Sequence, residues 1–166
     1  MRRVMFGWIF CAGLFGLLAA RATSAQETST PEERARWVQI TRRLEANPLD
    51  KDAIKDGEWA VKRVMEVRDV HVTLCADTMG YVENKKYKYN GNLLRQYLLG
   101  SAAFVVENPD KASDSTATNV AAMQSVLKIY AAIAQKEPKA RLERMDMLLG
   151  IHGDEMLAAY VKKRCG

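Results

Sequence analysis

Tyr81, Lys85, Lys86, Tyr87, Lys88 and Tyr89 crowd amines and phenol rings into one short stretch. Lysine amines attract anions, and aromatic rings offer faces for stacking and for cations. Together they suit contact with an anionic partner: a protein, a polysaccharide, a phosphate backbone or a charged membrane surface. They suit equally a solvated loop in which one or two tyrosines pack back onto the domain. This stretch is the candidate recognition loop.

Other chemistry-bearing residues are scattered. His71 and Cys75 stand four apart, with Asp77 nearby, but a zinc site needs three or four protein ligands and His152 lies far along the chain. No metal or cofactor is therefore assigned. Carboxylates pair at Asp52/Asp56, Glu143/Asp146 and Asp154/Glu155. They fall at helix starts or among arginines such as Arg141 and Arg144, where acids serve as caps and surface charge rather than as a general acid and base. Leu99-Gly100-Ser101-Ala102-Ala103 lacks the second glycine of a nucleophile elbow and sits in a helical pattern. No catalytic residue is assigned, and the chain reads as a non-enzyme. Trp37 and Trp59, at helical spacing, are expected in the core or between helices.

The elements that must position these residues read as helices. Thr30-Pro31-Glu32-Glu33 predicts a capping box with proline in the first turn. Trp37, Ile40 and Leu44 follow as one stripe, Glu32 and Arg36 are spaced for an i,i+4 pair, and Asn47-Pro48 ends the helix. Asp50 caps a second helix to about Val67, with Ile54, Val61 and Met65 on one side, Ala53, Ala60 and Val64 beside them, and Gly57 permitting close approach. The short connection favours an antiparallel hairpin. Val70 to Leu74 alternates like a strand but has no partner, so a short helix from about Val72 to Val82 is expected. Further helices are expected from Asn92 (Leu94, Leu98, Ala102 and Val105 on one face) to Asn108-Pro109, and from about Thr116 to Gln135. A shorter one carrying Leu142, Met145 and Leu149 closes at Gly150, and a last one is capped by Asp154. The fold class is all-α, with six to seven helices packed as antiparallel hairpins.

Residues 1–25 have the order of a secretory signal peptide. Arg2 and Arg3 precede the apolar run Val4 to Ala20, and small residues allow cleavage after Ala25 or Ala22. The expected organisation is a signal peptide at 1–25 and one helical domain at 26–166, periplasmic or extracellular, with no stable membrane span after cleavage. Cleavage would remove Cys11, Arg2, Arg3 and Arg21, reducing the formal charge of +5 to about +2. The whole-chain charge is therefore a poor argument for a nucleic-acid partner, and expected export argues against one. In an oxidising compartment the remaining cysteines, Cys75 and Cys165, are expected to form one structural disulfide, since no Cys-x-x-Cys redox spacing is present.

Val126, Tyr130, Ile133 and Pro138 have the spacing of the second helix and terminal proline of a tetratricopeptide-type repeat, and Leu44-Glu45-Ala46-Asn47-Pro48 resembles its helix-to-turn style. The chain resembles a degenerate helical array of that kind. Pro48, Pro109 and Pro138 do not follow its period of about 34 residues, so an irregular helical bundle stands beside the repeat-like array. The resemblance implies a module that binds partners. The functional expectation is a protein-interaction or scaffold module for another envelope or secreted protein, of unspecified oligomeric state. The alternative is a small-molecule or lipid carrier with an apolar pocket between helices.

Overall fold

A computed structural model of the chain describes residues 27–80, 86–151 and 153–165. The expected signal peptide, together with Tyr81, Val82, Lys85 and His152, lies outside the described residues. Among the described residues the architecture has six α-helices: α1 Pro31–Ala46, α2 Lys51–Glu66, α3 Asn90–Glu107, α4 Ser115–Lys136, α5 Glu143–Leu149 and α6 Asp154–Cys165. No strand occurs among the described residues, and none of their helices is long and apolar enough to cross a membrane.

Local chemistry explains most of the boundaries. The Thr30 hydroxyl accepts from the Glu33 amide, and the Glu33 carboxylate accepts from the Thr30 amide. The Asp50 carboxylate caps α2 by accepting from the amides of Asp52 and Ala53. Asn47-Pro48, Asn108-Pro109 and Glu137-Pro138 each close a helix, because the residue before proline avoids helical dihedrals. The last two prolines open single 3₁₀ turns, Pro109–Lys111 and Pro138–Ala140.

α3 is the shared central element. Leu99, Ala102 and Val105 pack with Trp37, Ile40 and Leu44 of α1 and with Ala53, Ala60 and Val64 of α2. Leu93 and Tyr97 instead join a second core with Met123, Val126 and Tyr130 of α4, Met145 and Leu148 of α5, and Leu157 and Val161 of α6. α3 is therefore buried over much more than one stripe, from Gln96 through Val105. The expected Leu94/Leu98 face is only half-buried. Gly100 lets α3 and α4 approach closely: a Cβ there would stand 2.7 Å from the Ser125 Cβ. Gly57 similarly makes room for Leu44 and Arg95.

Several local expectations are corrected. Val72 to Gly80 is not helical; it runs extended around one 3₁₀ turn, Ala76–Thr78. Side-chain anchoring replaces helical bonding there, with the Cys75 amide donating to the Tyr97 hydroxyl. The buried face of α2 is the small-residue row Ala53, Gly57, Ala60 and Val64, while Met65 is 65% exposed. Small side chains bring backbones closer, so the helix turns that row inward. Arg36 bonds Asp56 across the hairpin and lies over the Trp59 ring at 4.0 Å, in place of the expected Glu32 pair. In α5 the buried residues are Met145 and Leu148, and Leu149 faces outward.

Cys75 and Cys165 stand at disulfide distance, Sγ–Sγ 1.99 Å, across a separation of 90 residues. This clasp ties the extended segment to the end of α6. Closing a loop of that length is worth about 4–5 kcal/mol in the chain-entropy account. It also commits the Cys75 sulfur, which leaves His71 and Asp77 without their proposed partner ligand. At the other end of the extended segment, Asp69 accepts from the Ser29 amide and hydroxyl and pairs with Arg34. Burial pushes the Asp69 carboxyl up, but those donors outweigh it and hold the group at about 2.

Candidate functional site

The candidate loop divides once the fold is known. Tyr89 is buried against Ile133 and Ala140, and Tyr87 is half-buried beside it with ring centroids 5.9 Å apart. The Tyr87 hydroxyl donates to the Ala140 carbonyl at 3.0 Å. Burial, then the neighbouring Tyr130 and Tyr89 rings, raise the Tyr87 phenol to about 12, so it remains a donor at neutral pH. Lys88 reaches both Glu137 oxygens at 3.2 and 3.3 Å and lies over the Tyr89 ring. Two tyrosines and one lysine thus fasten the stretch before α3 to the connection between α4 and α5.

That fastening creates a cleft of about 380 Å³, lined by Lys86, Tyr87, Lys88 and Tyr89 on one side and by residues of the segment Glu137–Leu142 on the other. Lys139 and Arg141 add two cations that sequence reasoning did not place in the site. Their only early signal is the Pro138-Lys139-Ala140-Arg141 run between helices. The cleft holds four basic side chains and one carboxylate, Glu137. Its floor is rigid. The Tyr130 hydroxyl accepts from the Leu142 amide and donates to Asp146, both at 2.8 Å. Asp146 also takes one contact from Arg141 at 3.3 Å.

A second cluster of charge lies between α1, α3 and α4. Glu45, with a side chain only 10% exposed, accepts from Ser125 Oγ at 2.6 Å, from Lys128 at 3.1 Å and from Arg42 at 3.1 Å. Arg42 also pairs with Glu107 at 2.8 Å, and Gln96 donates to Ser125 Oγ at 2.7 Å. Two cations meet two carboxylates around a hollow of about 180 Å³. The cluster is internally neutral and acts as a brace.

The remaining sequence candidates do not assemble into chemistry. Asp56 is held by Arg36 and Arg43, and Asp146 by Tyr130 and Arg141. Ser101 is buried in α3, and its hydroxyl has no hydrogen-bond partner to activate it. Trp37 is fully buried and Trp59 half-buried between helices. Two apolar hollows flank α4, both open to solvent: about 530 Å³ beside Leu127 and Leu157, and about 470 Å³ beside Phe104 and Val120.

Comparison with protein-family models, with curated proteins and with solved structures finds no match.

Proposed function

We propose that the chain is an exported helical interaction module that holds an anionic partner in the envelope or outside the cell. The observation that carries this reading is the imbalance of charge in the cleft between Lys86–Tyr89 and Lys139–Leu142. Lys88 is held by Glu137 and Arg141 by one contact to Asp146, while the exposed Lys139 leaves the cleft an excess of positive charge that an arriving anion relieves. The frame behind the cleft is fixed by Tyr87, Lys88 and Tyr130, so binding costs little reordering. Basic side chains with aromatic neighbours are a common means of recruiting acidic surfaces.

The test is affinity capture with the disulfide-intact protein from its own envelope fraction at rising salt. The expected result is a captured partner of acidic character that is released as salt screens the contact. Recovery of the same proteins by an unrelated basic helical bundle would remove the reading.

A carrier role is the second reading, supported by the hollow of about 470 Å³ lined partly by Phe104, Ala117, Val120, Ala121 and Ala158. Native mass spectrometry of the freshly purified protein separates the two. A carrier retains a small apolar ligand, whereas an interaction module shows the mass of the chain alone.

A further inference from the structure

We infer that the basic cleft takes an acidic peptide segment of the partner, seating a carboxylate between Lys139 and Arg141 and an apolar or flat neighbouring side chain against Tyr87. This rests on the interaction-module reading and names the chemistry of its contact.

The cations of the cleft are not equivalent. Lys88 is occupied by Glu137 and Tyr89. Arg141 uses one guanidinium nitrogen, Nη1, for Asp146, and its side chain is 62% exposed. The rest of its fork can meet a carboxylate in the paired geometry that arginine favours. Lys139 is exposed and forms no ion pair or hydrogen bond with another described residue. Lys139 and Arg141 are therefore the side chains with charge to offer. They flank Ala140, whose carbonyl Tyr87 holds, so their backbone is fixed before any ligand arrives.

The backbone here has little to offer an incoming chain. The Ala140 amide donates to Glu137, that of Arg141 to Pro138, and that of Leu142 to Tyr130. Strand addition, which needs free main-chain groups, does not apply. Recognition falls to side chains: cations for the acid, and the Tyr87 ring, with its hydroxyl already spent, for an apolar group. The cleft is concave and, at about 380 Å³, has the scale of a pocket that encloses a few side chains. A bilayer presents a plane of charge and rewards a flat patch. A long polyanion rewards a continuous track. A concave pocket between two loops rewards a chain that can insert a side chain.

The experiment uses fluorescently labelled hexapeptides containing three glutamates and one phenylalanine, against the matched glutamine peptide. The disulfide-intact protein is titrated at low and physiological salt. The glutamate peptide is expected to bind, and the glutamine peptide to bind at least about tenfold more weakly. Lys139→Glu/Arg141→Glu should lose about tenfold or more of that binding. Lys86→Glu/Lys139→Glu, which keeps the Arg141–Asp146 contact, should lose binding as well. Lys162→Glu/Lys163→Glu, at the end of α6, should bind as the unmodified protein does. Circular dichroism establishes that each variant is folded. Equal binding of the two peptides, equal loss in the α6 control, or no peptide binding overturns the inference. So does binding confined to anionic phospholipid vesicles or to a sulfated polysaccharide. If the double variant at Lys139 and Arg141 still captures the envelope partner, the module reading stands and the cleft assignment fails. If the unmodified protein captures nothing specific, the module reading itself fails.

Discussion

Two clusters of charge sit on opposite sides of this molecule's functional question. Around Glu45, each carboxylate has its cation, and Ser125 and Gln96 extend the network into the interior. Around Lys139, basic side chains outnumber the acid: Lys88 is held by Glu137 and Arg141 by one contact to Asp146, while Lys139 forms no ion pair with a described residue. Burial differs too: Glu45 is nine-tenths enclosed, whereas Arg141 is largely exposed. A buried charge must be neutralised where it stands, so its partners are structural by necessity. An exposed excess of one sign is destabilising in isolation and is tolerated where an external partner completes it. Charge alone therefore does not mark a site. On the proposed reading, charge left uncompensated by its own fold marks the site.

The clasp belongs to neither cluster, and cutting it should have the largest effect. Cys75→Ser/Cys165→Ser is expected to lower stability by about 4 kcal/mol in denaturant unfolding. Hydrogen exchange should rise along Val70–Gly80 and α6 while the Glu45 region stays protected. Uniform loss of protection would show that the two regions are not separable.

Glu45→Ala comes next, at about 2–3 kcal/mol. It leaves Lys128 without its partner and Ser125 without an acceptor, yet both cations retain access to water. A loss of unfolding free energy in urea of less than about 0.5 kcal/mol would demote Glu45 to ordinary surface charge.

Asp69→Asn should cost about 1–2 kcal/mol, and its cost should depend on pH. The folded carboxyl, held at about 2, lies below its ordinary value of 3.8. Its stabilisation is present in full above that ordinary value and disappears as pH falls toward the folded one. The unmodified protein and the variant should therefore converge in stability between about pH 4 and pH 2. A constant difference across that window contradicts the assignment.

Lys139→Glu/Arg141→Glu should have the smallest effect on stability, within about 0.5 kcal/mol, because exposed pairs contribute little. A large loss would place these residues with the Glu45 brace rather than with a binding surface.

How much of this was legible in the sequence follows from how local each signal is. The Thr30–Glu33 capping box and the three X-Pro stops act within a few residues, and they appear as expected. The Cys75–Cys165 pairing was legible from the two cysteines of residues 26–166 and the expectation of an oxidising compartment, and the two sulfurs stand at disulfide distance. The helix expected from Val72 does not form over Val72–Gly80, because periodicity could not reveal that Tyr97 and Cys165 anchor an extended path. The α2 face was partly legible: Ala53, Ala60 and Val64 are buried and Ile54 and Val61 pack against the core, but Met65 faces outward because Gly57 and Ala60 admit a closer neighbour than it would. The cleft was half legible. Its Tyr87–Tyr89 wall is a visible cluster, but Lys139 and Arg141 arrive through a hydrogen bond spanning 53 residues, from Tyr87 to Ala140.

The most direct measurement is a two-dimensional amide NMR titration of the disulfide-intact protein with the glutamate hexapeptide. Shift changes confined to Lys86–Tyr89 and Lys139–Leu142, and reduced by salt, are the predicted result. Changes centred on Arg42, Glu45, Gln124 or Leu157, with the basic cleft silent, would contradict the claim that uncompensated charge locates the site.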